Sequence, residues 1–147
     1  LKIVGDGPMK EDLTLNENNL EFLGKIPNES VKVLLQQARF LVFPSQWYEG
    51  FPMVLVEAMA CGTPAIVTNI GSMQEIISDE ITGLHFALGN KEQFVEKVNK
   101  LIMDKAYCES LGENGRQTFL EKYTPNVNYQ QINSIYQDVI SNYSQTT

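Results

Sequence analysis

This sequence predicts an α/β fold with a parallel sheet, on three observations. Short runs of β-forming residues alternate with stretches of helical periodicity along most of the 147 residues. One run, Thr63-Pro-Ala-Ile-Val67, is almost continuously apolar, the pattern of a parallel strand covered on both faces. Glycine and proline mark the points where a strand hands over to a helix, as at Gly5-Asp-Gly-Pro8 and Gly50-Phe-Pro52. Short strands in this arrangement return by right-handed crossovers, and ligands bind beyond their carboxyl ends.

Leu1-Lys-Ile-Val4 opens the chain as a strand with no initiator methionine before it, so the expectation is a piece of a longer product. Gly5-Asp-Gly-Pro8 then turns the chain into a short helix beginning near Pro8. As a dinucleotide fingerprint this turn fails, because the third glycine of G-x-G-x-x-G falls on Lys10. Asn19 to Leu23 is a second strand closed by Gly24, and Asn28 is the expected cap of a helix through Val31, Leu34, Leu35 and Ala38. Phe40 to Phe43 is a third strand, ending at Pro44.

The next helix is expected from Pro52 to Cys61, since proline suits the first helical position, with Gly62 as its stop. After the strand at Thr63–Val67, Gly71-Ser72 precedes a helix carrying Met73, Ile76 and Ile77, and Gly83 to Phe86 is the fifth strand. From Lys91 the chain is helical, with Phe94, Val95, Val98, Leu101 and Ile102 on one face. A second helix covers Ala106 to about Leu120, and Pro125 opens a last one, in which Ile132, Ile135, Tyr136, Val139 and Ile140 recur at helical spacing. Ser144 to Thr147 should fray. With no repeat, linker or low-complexity tract, residues 1–147 read as one domain.

Chemistry concentrates between Pro44 and Gly62. The first turn of a helix presents free backbone N–H groups and a partial positive charge, so Phe51, Met53 and Val54 can hold a phosphate through main chain alone. Glu57 is the odd residue in an otherwise apolar helix, and a lone buried carboxylate is costly unless hydrogen-bonded. It lies either on a solvated strip or where it accepts hydrogen bonds from a ligand's hydroxyls, and the apolar residues around it favour the second. His85 stands isolated in a strand and reads as structural.

Glu49 and Glu57 are separated by seven residues inside Pro44-Ser45, Gly50-Phe51-Pro52, Glu57-Ala58-Met59 and Gly62-Thr63-Pro64. This E-x7-E stretch resembles the donor-site signature of glycosyltransferase family 4, whose GT-B fold pairs two Rossmann-like halves. The resemblance implies that Glu57 binds the ribose hydroxyls of a sugar nucleotide, that backbone from Gly50 through Phe51, Pro52 and Met53 to Val54 holds the hexose and diphosphate, and that Glu49 lies beside the transferred sugar as the catalytic residue. It places the loop with Gly5 and Gly7 on the ligand side and the nucleobase near Gly24-Lys25-Ile26-Pro27, where an ordinary strand-to-helix turn fits the residues equally well. Ser72 stands where the family often has a second glycine.

The resemblance spans nearly the whole chain but only the donor half of such an enzyme. It implies that the acceptor half and the first β-α unit of the donor half, with its arginine and lysine for the diphosphate, are to be expected outside residues 1–147; Lys25 does not replace them. The expected function is that of a retaining glycosyltransferase moving a hexose from a UDP- or GDP-linked donor to a glycan or lipid-linked acceptor, in cell-surface polysaccharide synthesis. Alternatives are a sugar-nucleotide epimerase of the same architecture, for which His85 is the only histidine available, and a non-catalytic sugar-nucleotide binding module. With no Asp-x-Asp pair and no His/carboxylate cluster, donor binding is expected to need no metal ion.

A net charge of −7 argues against nucleic acid or an anionic membrane surface as main partner. No apolar run is long enough to cross a bilayer and no secretory leader is visible, so the expected location is cytoplasmic. Cys61 and Cys108 lie far apart in expected helices and read as buried free thiols.

Overall fold

The structure is a computed structural model that describes residues 1–7 and 19–144, so the helix expected near Pro8 and the end of the tail lie outside the described residues. All five expected strands form: β1 (Lys2–Val4), β2 (Glu21–Gly24), β3 (Leu41–Phe43), β4 (Ala65–Thr68) and β5 (Gly83–Phe86). Between and after them run α1 (Asn28–Gln37), α2 (Met53–Cys61), α3 (Ser72–Ile76), α4 (Lys91–Met103), α5 (Lys105–Lys122) and α6 (Pro125–Ser144). Every strand pairing is parallel, and helices cover the sheets.

Where one sheet is expected, hydrogen bonding divides the strands into two. β1 pairs with β2, Ile3 opposite Phe22, while β4 lies between β3 and β5, with Ile66 opposite both Val42 and Leu84. Among the described residues no strand pair joins the two sheets. β1 and β2 are three and four residues long, their register slips between Ile3 and Val4, and β2 ends at Gly24 with φ at +64°.

β4 explains its own composition. All four of its residues are buried, and alternate side chains feed different clusters. Ala65 and Val67 join Leu55, Val56 and Met59 of α2 with Met73, Ile76 and Ile77. Ile66 joins Leu84, Phe86, Leu101, Cys108 and Leu111. A central strand with a core on each face has no position left for a polar alternation.

Two boundaries differ from expectation for the same reason. Asn28 does not cap α1: the extended Pro27 is the cap residue, and its carbonyl accepts from Ser30 N–H at 2.9 Å and Val31 N–H at 3.2 Å. Likewise Pro52 sits one residue before the helix, with ψ at 97°, and its carbonyl accepts from Leu55 N–H at 3.0 Å. In each case an extended proline turns its own carbonyl into the first acceptor.

The far end of α2 follows the sequence. Gly62 adopts φ +71°, Gly62 N–H bonds Met59 O at 3.0 Å and Thr63 N–H bonds Ala58 O at 2.9 Å, a glycine-terminated helix stop. α5 crosses closely here. A Cβ at Gly112 would meet the Gly62 carbonyl at 2.1 Å, and Arg116 Nη1 donates to Ala60 O at 2.6 Å, so α5 clamps the end of α2.

Candidate functional site

Glu49 lies at the end of the loop that leaves the carboxyl end of β3, half-buried between exposed residues. Its side chain and its backbone are both held. Ser45 Oγ donates to Glu49 Oε1 at 2.8 Å, and Ser72 Oγ donates to the Glu49 carbonyl at 2.8 Å. Ser45 is itself anchored, because Thr68 Oγ1 at the end of β4 donates to its carbonyl and Trp47 N–H approaches its hydroxyl at 3.4 Å. Tyr48 lies against Gly71, where a Cβ would meet the ring at 3.1 Å. Gly71 holds φ +55°, which an L side chain rarely adopts. The loop after β3 and the loop after β4 therefore form one unit around Glu49.

The start of α2 is open. Its first intrahelical bond is Leu55 N–H to Pro52 O, and among the described residues no acceptor takes the amides of Phe51, Met53 and Val54. Phe51 is half-exposed, with its ring centroid 6.1 Å from that of Tyr123, and Pro52 is buried. These three donors thus have no side-chain cap among the described residues.

One turn on, Glu57 is half-buried. It occupies a strip with Met53, Val54, Ala60 and Cys61, while Leu55, Val56, Ala58 and Met59 on the other side of the helix are buried. Both halves of the sequence reading thus have a counterpart: a less covered strip exists, and apolar burial flanks it. No hydrogen bond or ion pair from another described residue takes up the Glu57 carboxylate.

The remaining sequence-predicted residues gather elsewhere. Gly5 N–H bonds Gly24 O at 2.9 Å, so the loops after β1 and β2 lie side by side and bring Gly5, Gly24, Lys25 and Ile26 to one edge. Gly5 takes φ +126°, and Gly7 N–H bonds the Asp6 carboxylate at 3.1 Å. Lys25 is exposed and Ile26 half-buried. No hydrogen bond among the described residues ties this group to the one around Glu49.

His85 is occupied structurally: Nε2 lies 2.7 Å from the Ile77 carbonyl, and its backbone N–H bonds Asp79 Oδ1 at 2.8 Å. Cys61 and Cys108 are free thiols, both pushed up from their usual pKa chiefly by burial. Shallow cavities of about 360 and 440 Å³ open around Gly62, one lined by Arg39, Pro64 and Lys105, the other by Glu113 and Arg116, away from both glutamates. The residues to which sequence reasoning gave no part in holding Glu49 are Ser45, Thr68 and Ser72. Ser45 and Ser72 were visible as hydroxyls beside Glu49 and at a glycine turn, but no local pattern says which atoms they bond.

Residues 1–118 match the family described as glycosyl transferases group 1. An uncharacterized glycosyltransferase of Methanocaldococcus jannaschii is 37% identical over 128 residues, covering 84% of this chain and 36% of its own length. The N-acetyl-alpha-D-glucosaminyl L-malate synthase of Bacillus anthracis is 31% identical over 147 residues, covering 95% of this chain and 38% of its own. Among solved structures, sucrose-phosphate synthase from Thermosynechococcus elongatus superimposes on 95% of this chain with a TM-score of 0.85 at 27% identity, using 38% of that chain. The chain spans little more than a third of the length of the curated relatives it matches.

Proposed function

Since this chain belongs to the group 1 glycosyl transferases, we propose that it is the donor-binding half of a retaining family 4 transferase with the GT-B fold. In this reading it takes a hexose from a UDP- or GDP-linked donor for a glycan or lipid-linked acceptor of the cell-surface polysaccharide type. The observation that carries the reading is the start of α2 between Glu49 and Glu57, where among the described residues three amides have no acceptor and two carboxylates flank them. Amides at a helix start stabilise a diphosphate before and after its bond to the sugar breaks, without a metal ion. Glu57, whose carboxylate no hydrogen bond or ion pair takes up among the described residues, accepts from the ribose hydroxyls in this reading; Glu49 meets the sugar. His85, which an epimerase would need, is engaged with the Ile77 carbonyl instead.

Glu57→Ala should cost roughly 1.5–3 kcal/mol of nucleotide affinity, a factor of about ten or more, by titration calorimetry. A 2′-deoxy nucleotide should bind the native protein worse and the variant no worse; equal loss in both would mean that Glu57 acts through folding. The same titration of UDP or GDP in EDTA should leave the affinity unchanged, and a collapse would overturn the metal-free reading. Residues 1–147 alone are proposed not to transfer sugar, because an opposing half must hold the acceptor hydroxyl near the anomeric carbon and keep water out. Turnover by this chain alone at a rate near that of the complete transferase would refute that.

A further inference from the structure

We propose that Ser45 and Ser72 are positioning residues for Glu49, holding it from its two ends so that its carboxylate meets the sugar in a single orientation. This rests on the reading of Glu49 as the residue beside the transferred sugar. Glutamate is a long, rotamer-rich side chain, and this one sits in a loop whose Trp47 and Tyr48 are 80% and 83% exposed. Left to itself on such a loop, it would lose most of its freedom only on meeting the ligand.

The hydrogen bonds remove that freedom beforehand. A serine hydroxyl has one proton, and with Trp47 N–H directed at the Ser45 oxygen, that proton is the one given to Glu49 Oε1. A donated bond to one carboxylate oxygen restricts the group's rotation, and among the described residues no hydrogen bond occupies Oε2. Ser45 cannot drift with the loop, because its carbonyl is bonded by Thr68, a residue 1% exposed on the central strand. Ser72 fixes the other end by holding the Glu49 carbonyl, and it is drawn from the first turn of α3. Glu49 is thus referred to β4 through Ser45 at its carboxylate and to α3 through Ser72 at its carbonyl, two elements whose Val67 and Met73 belong to the same core cluster. Rigid support of this kind is what holds a reacting group within the narrow geometry that transfer requires.

The test uses the complete transferase with saturating donor and a purified acceptor. Ser45→Ala is expected to lower kcat about ten- to a hundredfold while donor KM and UDP affinity stay within about twofold. Ser45→Thr, which restores the hydroxyl, should recover most of the loss, and Ser72→Ala should show a smaller loss of the same kind. Because the serine acts through the carboxylate, Ser45→Ala combined with Glu49→Gln should be no slower than Glu49→Gln alone. A merely structural role would instead lower the melting temperature and leave kcat per folded molecule unchanged. If Ser45→Ala proves unstable, Ser45→Cys keeps the volume with a weaker donor and should show the same kcat loss. An unchanged kcat for Ser45→Ala beside a crippled Glu49→Gln overturns the clamp, as do additive losses in the double variant. An unchanged kcat for Glu49→Gln overturns the reading of Glu49, and the clamp with it.

Discussion

α2 and α6 are both introduced by proline and both carry a strong apolar complement, yet they end in opposite environments. α2 is nine residues long and buries Leu55 completely, with Val56, Ala58 and Met59 beside it. α6 is twenty residues long, and its Ile135, Tyr136 and Val139 are each more than 60% exposed. The spacing of apolar residues in α6 is that of a packed helix, so the sequence marks a face that wants a partner. Among the described residues, α2 meets more of its neighbours than α6 does. α2 lies between α1 and α5 over β4, whereas α6 touches its own domain mainly through α5. Apolar content decides what can be buried, and the neighbouring elements decide what is.

The largest effect expected from this difference is in stability. Leu55→Ala should destabilise the chain by about 2–5 kcal/mol, a transfer loss plus a cavity, whereas Ile135→Ala should change it by less than about 0.5 kcal/mol. Urea unfolding of residues 1–147 measures both. Should Ile135→Ala prove costly in this chain, α6 is packed after all and the contrast fails. In the longer transferase proposed above, a rise in its cost would sharpen it, showing that the face is covered there.

A finer comparison lies within α5, where two glycines face α2 and its neighbours. At Gly112 a Cβ collides with the Gly62 backbone, so Gly112→Ala should cost about 1–3 kcal/mol as the helices are pushed apart. At Gly115 a Cβ meets only Met59 and the Thr82 carbonyl at 3.7 Å, ordinary contact, so Gly115→Ala should stabilise by up to about 1 kcal/mol through helix propensity. Opposite signs in the same unfolding assay are the expectation. Equal signs would mean that α5 does not clamp α2 at Gly112.

The smallest expected effect is alkaline. Burial raises the thiols of Cys61 and Cys108 above their ordinary 9.0 and the Tyr123 hydroxyl above its ordinary 10.0. The unfolded chain therefore releases these protons first. The stability they contribute is fully present below the unfolded values and is lost as pH rises through the raised folded ones. Unfolding free energy should decline as pH is taken above 9.0, and less steeply when Cys61→Ser and Cys108→Ala are combined. An identical slope in that variant would assign the decline to other groups.

Much of the fold was legible because its signals are local. A β-rich run such as Leu41–Phe43, a proline before a helix and a glycine after it each act over a few residues, and all five strands form where expected. Proline's local signal was legible in kind but displaced in position, since Pro27 and Pro52 cap their helices with a carbonyl where a side-chain cap and a first helical residue were expected. Glu49 and Glu57 were legible as an unusual pair because their spacing is covalent, whereas the bonds that orient Glu49 were not.

By itself the sequence determined the parallel α/β class, the apolar continuity of β4, the turn at Gly62, and which chemical groups stand around the start of α2. Only the tertiary structure decided that the described strands divide into two sheets, that Ile135, Tyr136 and Val139 of α6 stay exposed, and that Ser72, twenty-three positions from Glu49, holds its carbonyl. The physical reason is range. Dihedral preferences and periodicity act along a few bonds and are written in neighbouring residues. A hydrogen bond between loops, a glycine that lets two helices touch, or an exposed helix face depends on where distant elements come to lie, and that is set by the packing of the whole core.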